Sequence, residues 1–297
     1  MSRGDVLVEP LRVALASSRS EGLIALYEAC TRAGHLPAAA IAPRPTAPKG
    51  PVDAKSATEF STFVHAVPDG LDLILVAGNN ALDMALSGYR ADIMICHGFP
   101  WRLSETVLRT PRLGVLNIHT SLLPRHRGPM PVHWALLHGD TETGVTIHRM
   151  DRDFDAGPIV AQQAGVLLPD AIDDEVADGL IRTFDDITRD LLPIALERAA
   201  QGCPGQPQNH ADATYEGPIG PEWSTVDWSK TAREIHNQVR ARRFGIYDPP
   251  GPTAELDGHR ISLLQTSLQP ATGLQAQCSD APLWITQHLH LPDSTED

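Results

Sequence analysis

The chain has 297 residues, 42% of them hydrophobic, and carries 24 lysines and arginines against 37 aspartates and glutamates, a formal charge of −13. That length and apolar fraction exclude a disordered chain and allow one large or two smaller domains around a core that needs no staples. The acidic balance argues against a protein built mainly to hold polyanions. No run of about 18 apolar residues is present to span a membrane, and no basic segment leading into an apolar one opens the chain.

In chain order, residues 11–16 read as a short apolar strand and 17–20 as a polar turn. Residues 23–32 follow as a helix stopped by Gly34. A second strand at 37–42 runs into a proline-rich loop at 43–52. Then come an apolar run at 71–77, a short helix at 80–87, a strand at 92–96, a helix at 103–108 capped by Ser104, and a fifth strand at 114–118. Strands alternating with helices predict βαβ units and a mostly parallel sheet covered on both faces. Residues 131–137 read as a helix, 145–150 and 159–168 as alternating strands, and 173–200 as a long amphipathic helix with acids at its start.

The composition changes at Gly202. Residues 202–221 are rich in Gly, Pro, Gln and Asn and read as a linker. A helix at 230–242, N-capped by Ser229, and strand segments at 253–256 and 260–268 come next. The expected organisation is an N-terminal domain at 1–201, a linker at 202–226, a small domain at 227–270 and a poorly ordered tail at 271–297. Cys30, Cys96, Cys203 and Cys278 lie far apart and form no CxxC, so the expected compartment is the cytoplasm.

The chemistry concentrates between residues 114 and 160. Asn117 and His119 are two residues apart at the end of the fifth strand, so both side chains project to one face. The carboxyl end of a parallel strand is where open α/β sheets place ligands. A later acidic turn, 150–158, brings Asp155 as a candidate carboxylate. An amide, an imidazole and a carboxylate at one strand end suit acyl-type transfer. Asn donates to an oxyanion, His donates or moves a proton, and Asp orients the imidazole.

The run from Asn117 to Pro129 (NIHTSLLPRHRGP) resembles the signature of the formyltransferase family. So do Trp134 to Asp140, Glu142 to Ile147, Met150-Asp151 and Asp155 to Ile159. The resemblance is dense over these residues and weaker over most of the chain. It implies a Rossmann-like formyltransferase domain with a mostly parallel sheet, followed by a small, truncated, β-rich barrel-like unit. The co-substrate it implies is 10-formyltetrahydrofolate, with Asn117, His119 and Asp155 as the catalytic trio and no metal. In the implied mechanism Asn117 and His119 hold the oxyanion, and Asp155 sets the imidazole's protonation. The segment from Cys96 to Leu103 falls where the family lines its pteridine pocket. The implied folate-binding residues are Phe99, Trp101, Leu103, Leu122, Pro124, Met150 and Phe154. Residues 226–241 resemble the junction that precedes a small barrel in members acting on methionyl-tRNA or on sugars.

His97, His119, His126, His133, His138 and His148 contain neither HxH nor HExxH, so a metal site is not expected, and the HxH of His288 and His290 falls in the expected tail. The turn at 17–20 lacks GxGxxG, which disfavours a dinucleotide-binding module. Arg125 and Arg127 are expected near the substrate mouth, and Trp223 and Trp228 in packing. The favoured acceptor is a small amine, an amino sugar or an amino-acid-derived metabolite. The alternatives are methionyl-tRNA, water (a formyltetrahydrofolate hydrolase) and a non-catalytic folate-binding module. The insertion 43–55 is only weakly basic, so tRNA is expected to be an unlikely partner. No membrane association is expected, and a homodimer is possible.

Overall fold

The computed structural model describes residues 9–44, 54–245 and 247–292. Most of the proline-rich loop, most of the insertion 43–55 and the last five residues of the expected tail lie outside the described residues.

The first sheet has seven strands: β1 (Arg12–Ser17), β2 (Leu36–Pro43), β3 (Leu73–Val76), β4 (Ile93–His97), β5 (Val115–His119), β6 (Glu142–Arg149) and β7 (Ile159–Leu167). Its spatial order is β3-β2-β1-β4-β5-β6-β7. The strands from β3 through β5 pair in parallel, and β5 pairs with β6 antiparallel. The crossovers are α1 (Ser20–Arg32), α2 (Ala54–His65), α3 (Asn79–Gly88) and α4 (Glu105–Arg109). Strand order reverses between β1 and β4, so the carboxyl ends of these strands open a cleft beside the end of β5. One core cluster packs Ala14, Ala16, Ala39 and Ile41 of β1 and β2 against Leu82 and Leu86 of α3 and Met94 and Cys96 of β4. The small side chains on β1 and β2 leave room for the leucines of the covering helix. Ser104 caps α4 by accepting from the Val107 amide at 3.3 Å, as expected from sequence. Helix α2 has no counterpart in the expected elements.

After α5 (Pro131–Leu137) and α6 (Asp174–Ala200) comes α7 (Ala232–Phe244), then a second sheet built from β8 (Thr253–Leu256), β9 (His259–Ser267), β10 (Leu274–Gln277) and β11 (Pro282–His290). Its order is β10-β11-β9-β8, with antiparallel pairing throughout. Two expectations are corrected here. Residues 274–290 are strands and not a poorly ordered tail, because Leu283 and Ile285 of β11 are fully buried with Ile235 and Val239 of α7 and Leu263 of β9. Burying each such side chain contributes roughly 1.5–3 kcal/mol. The N-cap of α7 is Thr231 and not Ser229. Thr231 and Glu234 form a reciprocal capping box, while the Ser229 hydroxyl donates to Asp227 at 2.7 Å.

The chain forms two compact units, residues 1–127, 145–163 and 184–213 in one, and 128–144, 164–183 and 214–297 in the other. This differs from the expected linear division at 201–227. The reason is local to the second unit, where α5 packs against α7. There the Asn237 amide donates to the Leu137 carbonyl, and Arg240 donates to the carbonyls of Leu168 and Pro169.

Candidate active site

Strand β5 delivers two polar side chains to its carboxyl end. Asn117 is half-buried and His119 is 5% exposed. The loop that follows is pinned to β6: the Thr146 hydroxyl donates to the Ser121 carbonyl at 2.7 Å and accepts from the Leu123 amide at 3.2 Å. Ser121 in turn donates to the Arg125 carbonyl. At His126 the backbone takes φ = 56°. The His126 carbonyl then meets His119 Nε2 at 2.8 Å. A carbonyl only accepts, so Nε2 carries the proton and Nδ1 of the neutral ring is the free basic atom.

Asp155 arrives from the turn between β6 and β7. Its φ is 52°, in the left-handed region. Two residues on, Gly157 lies so close to the Arg149 carbonyl that a Cβ there would sit 1.9 Å from the oxygen. Glycine is therefore required to return the chain to β7. The turn brings Asp155 Oδ1 to 3.7 Å from His119 Nδ1 and 3.4 Å from Asn117 Nδ2. The three sequence-predicted trio members thus converge on one carboxylate oxygen.

A fourth side chain stands in the group that the sequence reading did not select. His148 pairs directly opposite Asn117 in the β5–β6 ladder, and residues so paired share a face. It is 1% exposed, with Nε2 lying 3.3 Å from Asp155 Oδ1 and 3.2 Å from Asn117 Nδ2. Its Nδ1 meets the Arg149 carbonyl at 3.0 Å and so carries a proton. With its proton on Nδ1, the ring presents the Nε2 lone pair to the Asn117 amide, which donates to it. Burial pushes the pKa of His119 below its ordinary value, and the Asp155 charge and the His126 carbonyl act in the opposite direction. Such a site takes up a proton at His119 Nδ1, holds the imidazolium against Asp155, and offers the Asn117 N–H to a developing oxyanion.

Of the expected folate-binding residues, Leu103, Met150 and Phe154 line one narrow cavity together with His148 and Asp155. Phe99 and Trp101 pack edge to face, 5.3 Å between ring centres, against the same core cluster as Leu103 and Met150. Arg102 donates to the Arg152 carbonyl and lies 5.8 Å from the Phe154 ring. Leu103, Met150 and Phe154 thus present apolar surface in the cavity that Asp155 and His148 also line. Leu122 is half-buried in the pinned loop. Pro124 instead lines a separate cavity of about 560 Å³, with Leu123, Gln162, Arg198, Cys203 and Gln208. Arg127 is buried at 9% exposure and is not a solvated surface arginine, whereas Arg125 is exposed. His97, at the end of β4, is buried beside Arg19, and burial foremost brings its pKa down to about 3, so it stays neutral. No helix among the described residues is long and apolar enough to cross a membrane.

Residues 11–185 match the family model described as formyl transferase, and residues 218–292 match the formyl transferase C-terminal domain. A methionyl-tRNA formyltransferase of Ralstonia nicotianae is 33% identical over 286 residues, 91% of this chain and 83% of its own length. The alignments span 57% to 64% of the length of four other methionyl-tRNA formyltransferases. Among solved structures, the sugar 3N-formyltransferase WlaRD, crystallised with dTDP and 5-N-formyl-THF, superimposes with a TM-score of 0.63 at 16% identity. That match covers 94% of this chain and 98% of the other. An N-formyltransferase of Helicobacter canadensis, in complex with folinic acid and dTDP-3-aminofucose, gives 0.60 at 15% identity over 94% and 100%. At those identities the likeness is one of fold. The expectation that tRNA is an unlikely partner is overturned by the methionyl-tRNA formyltransferases among the sequence relatives. Its physical weakness is that a total charge of −13 is a sum over the chain and does not describe the sign of any one face. With both family models matched in order along its length, the chain belongs to the formyltransferase family.

Proposed function

We propose that this protein transfers a formyl group from 10-formyltetrahydrofolate to an amine, with Asn117, His119 and Asp155 acting on the reacting atoms. The observation that carries the reading is the convergence of these three side chains within 3.4–3.7 Å at the carboxyl end of β5, in a chain matching both formyl transferase models. An uncharged amine attacks the formyl carbon, and the carbonyl electron pair moves to oxygen. Asn117 Nδ2–H stabilises that oxyanion. His119 Nδ1 takes the proton from the attacking nitrogen, and the Asp155 carboxylate stabilises the resulting imidazolium. Collapse of the intermediate breaks the bond to folate N10, which leaves with a proton returned by His119. Phe99, Trp101, Leu103, Met150 and Phe154 supply the apolar surface for the folate ring.

For the acceptor, the methionyl amine of methionyl-tRNA is the first reading, supported by relatives at 32–38% identity that carry that name. A nucleotide-linked amino sugar is the second, favoured by near full-length superposition on two sugar or N-formyltransferases. The protein is incubated with 10-formyltetrahydrofolate and either methionyl-tRNA, dTDP-linked amino sugars or no acceptor. Formylated methionyl-tRNA is the expected product. Rapid formate release without any amine, or no turnover with either acceptor, would sink the transferase reading.

A further inference from the structure

The segment after α6 reads as a linker in sequence, yet one of its residues is 6% exposed and fully hydrogen-bonded inside the first unit. Gln208 Nε2 donates to the Asp155 carbonyl at 2.8 Å and to the Gly157 carbonyl at 2.7 Å. Its Oε1 accepts from Arg127 Nη2 at 2.7 Å and Nε at 3.2 Å. A carboxamide has two N–H donors and two acceptor lone pairs, and here all four are used. The segment is held in place by a bridge between Gln206 and Ile159, whose backbones exchange hydrogen bonds of 2.7 and 2.8 Å. His210 adds its Nδ1 against the Arg127 guanidinium at 3.3 Å.

The two ends of this clamp are the two loops that set the trio. One carries Asp155 in a left-handed backbone conformation and returns through Gly157. The other contains the peptide bond from His126 to Arg127, whose carbonyl fixes the proton of His119 on Nε2. Resting on the proposed formyl transfer, we infer that Gln208 is a positioning residue that ties the Asp155 turn to the His126–Arg127 loop. It thereby sets the separation between Asp155 and His119. Gln208 touches no reacting atom. It acts through the backbone of Asp155 and the side chain of Arg127. A misplacement of about 1 Å at such a site lowers rate by up to about 100-fold.

Two variants separate its two halves. Gln208→Met keeps the length of the side chain and removes every hydrogen bond. Gln208→Glu keeps the acceptor for Arg127 and turns the two donated bonds into carboxylate–carbonyl repulsions. In full-length protein, kcat for formyl transfer falls about tenfold to 100-fold in both variants, with the folate KM changed less than kcat. The His119 imidazole, followed by NMR, titrates at lower pH in Gln208→Met, because the Asp155 charge that favours its protonated form has moved away. The rising limb of the kcat–pH profile moves the same way. Folded variants with a lowered melting temperature but unchanged kcat and, in Gln208→Met, unchanged His119 titration would overturn the inference, leaving Gln208 a stabilising residue. Retained kcat in Gln208→Glu alone would also overturn it, since Arg127 anchoring would then suffice. The NMR titration needs no turnover, so failure of the wild-type protein to transfer formyl would count against the proposed function and leave Gln208 decided by the titration.

Discussion

The end of β5 and the C-terminal unit both bury polar side chains, and they spend them on opposite purposes. Around α7, Arg240 donates to the carbonyls of Leu168 and Pro169 and to Asn237 Oδ1, and Gln238 donates to the carbonyls of Trp223 and Thr225. These groups satisfy backbone that would otherwise be buried without partners, so their contribution is to stability. At the end of β5 and across into β6, Asn117, His119, His148 and Asp155 face one another around a single carboxylate oxygen. Polar groups that bond mainly to each other compete for protons, and that competition is what lets a proton move. The difference separates architecture from chemistry without appeal to the type of residue.

The contrast predicts that rate and stability come apart. Asn117→Ala, His119→Ala and Asp155→Asn each lower kcat by about 10²–10³, the cost typical of losing an oxyanion-site donor. Thermal unfolding shifts little by comparison. Steady-state kinetics beside a melting curve checks it, and near-normal kcat in all three would dismantle the mechanism.

Acid should reach the architecture next. Burial brings His97 down to about 3 and His133 and His236 down to about 4. Above about pH 6.5 these rings are neutral in both folded and unfolded chains and cost nothing. Below it the unfolded chain binds protons that the folded chain refuses. Stability therefore falls by roughly 1.4 kcal/mol per pH unit for each group as pH drops toward the folded values. Urea titrations at pH 7, 6 and 5 measure this slope, and a flat profile would remove these rings from the account. Arg240→Met leaves the Leu168 and Pro169 carbonyls unpaired and is expected to cost about 1–3 kcal/mol, with kcat per folded molecule unchanged. An equal loss of kcat would erase the contrast between the two regions. The smallest effect is Thr231→Ala, about 1 kcal/mol from the lost capping box, read by chemical denaturation.

Much of the first sheet was legible because each strand there is a short apolar run next to a turn, and the period of the following helix is unambiguous. Asn117 and His119 were legible for the same reason, since two residues along a strand return to one face. His148 was not, because its place depends on the register of β6 on β5, which pairs it with Asn117. The strand β11 alternates buried Leu283 and Ile285, but its apolar face gains value only from α7 and β9, which lie far away in sequence. The start of α7 was readable in principle. Thr231 and Glu234 have the spacing of a capping box, and Ser229 does not.

The opening length and apolar fraction excluded a disordered chain. The charge did not decide the acceptor, because a charge total carries no geometry. By itself the sequence determined the α/β class from local spacing along strands and the family resemblance from the run Asn117 to Ile159, and it pointed to Asn117, His119 and Asp155 as a catalytic trio only through that resemblance. Tertiary structure decided that His148 joins the trio, that residues 274–290 complete a sheet, and that Gln208 clamps the Asp155 turn. Each of these depends on long-range pairing, and long-range pairing is set by the packing of whole elements and not by any short run of residues.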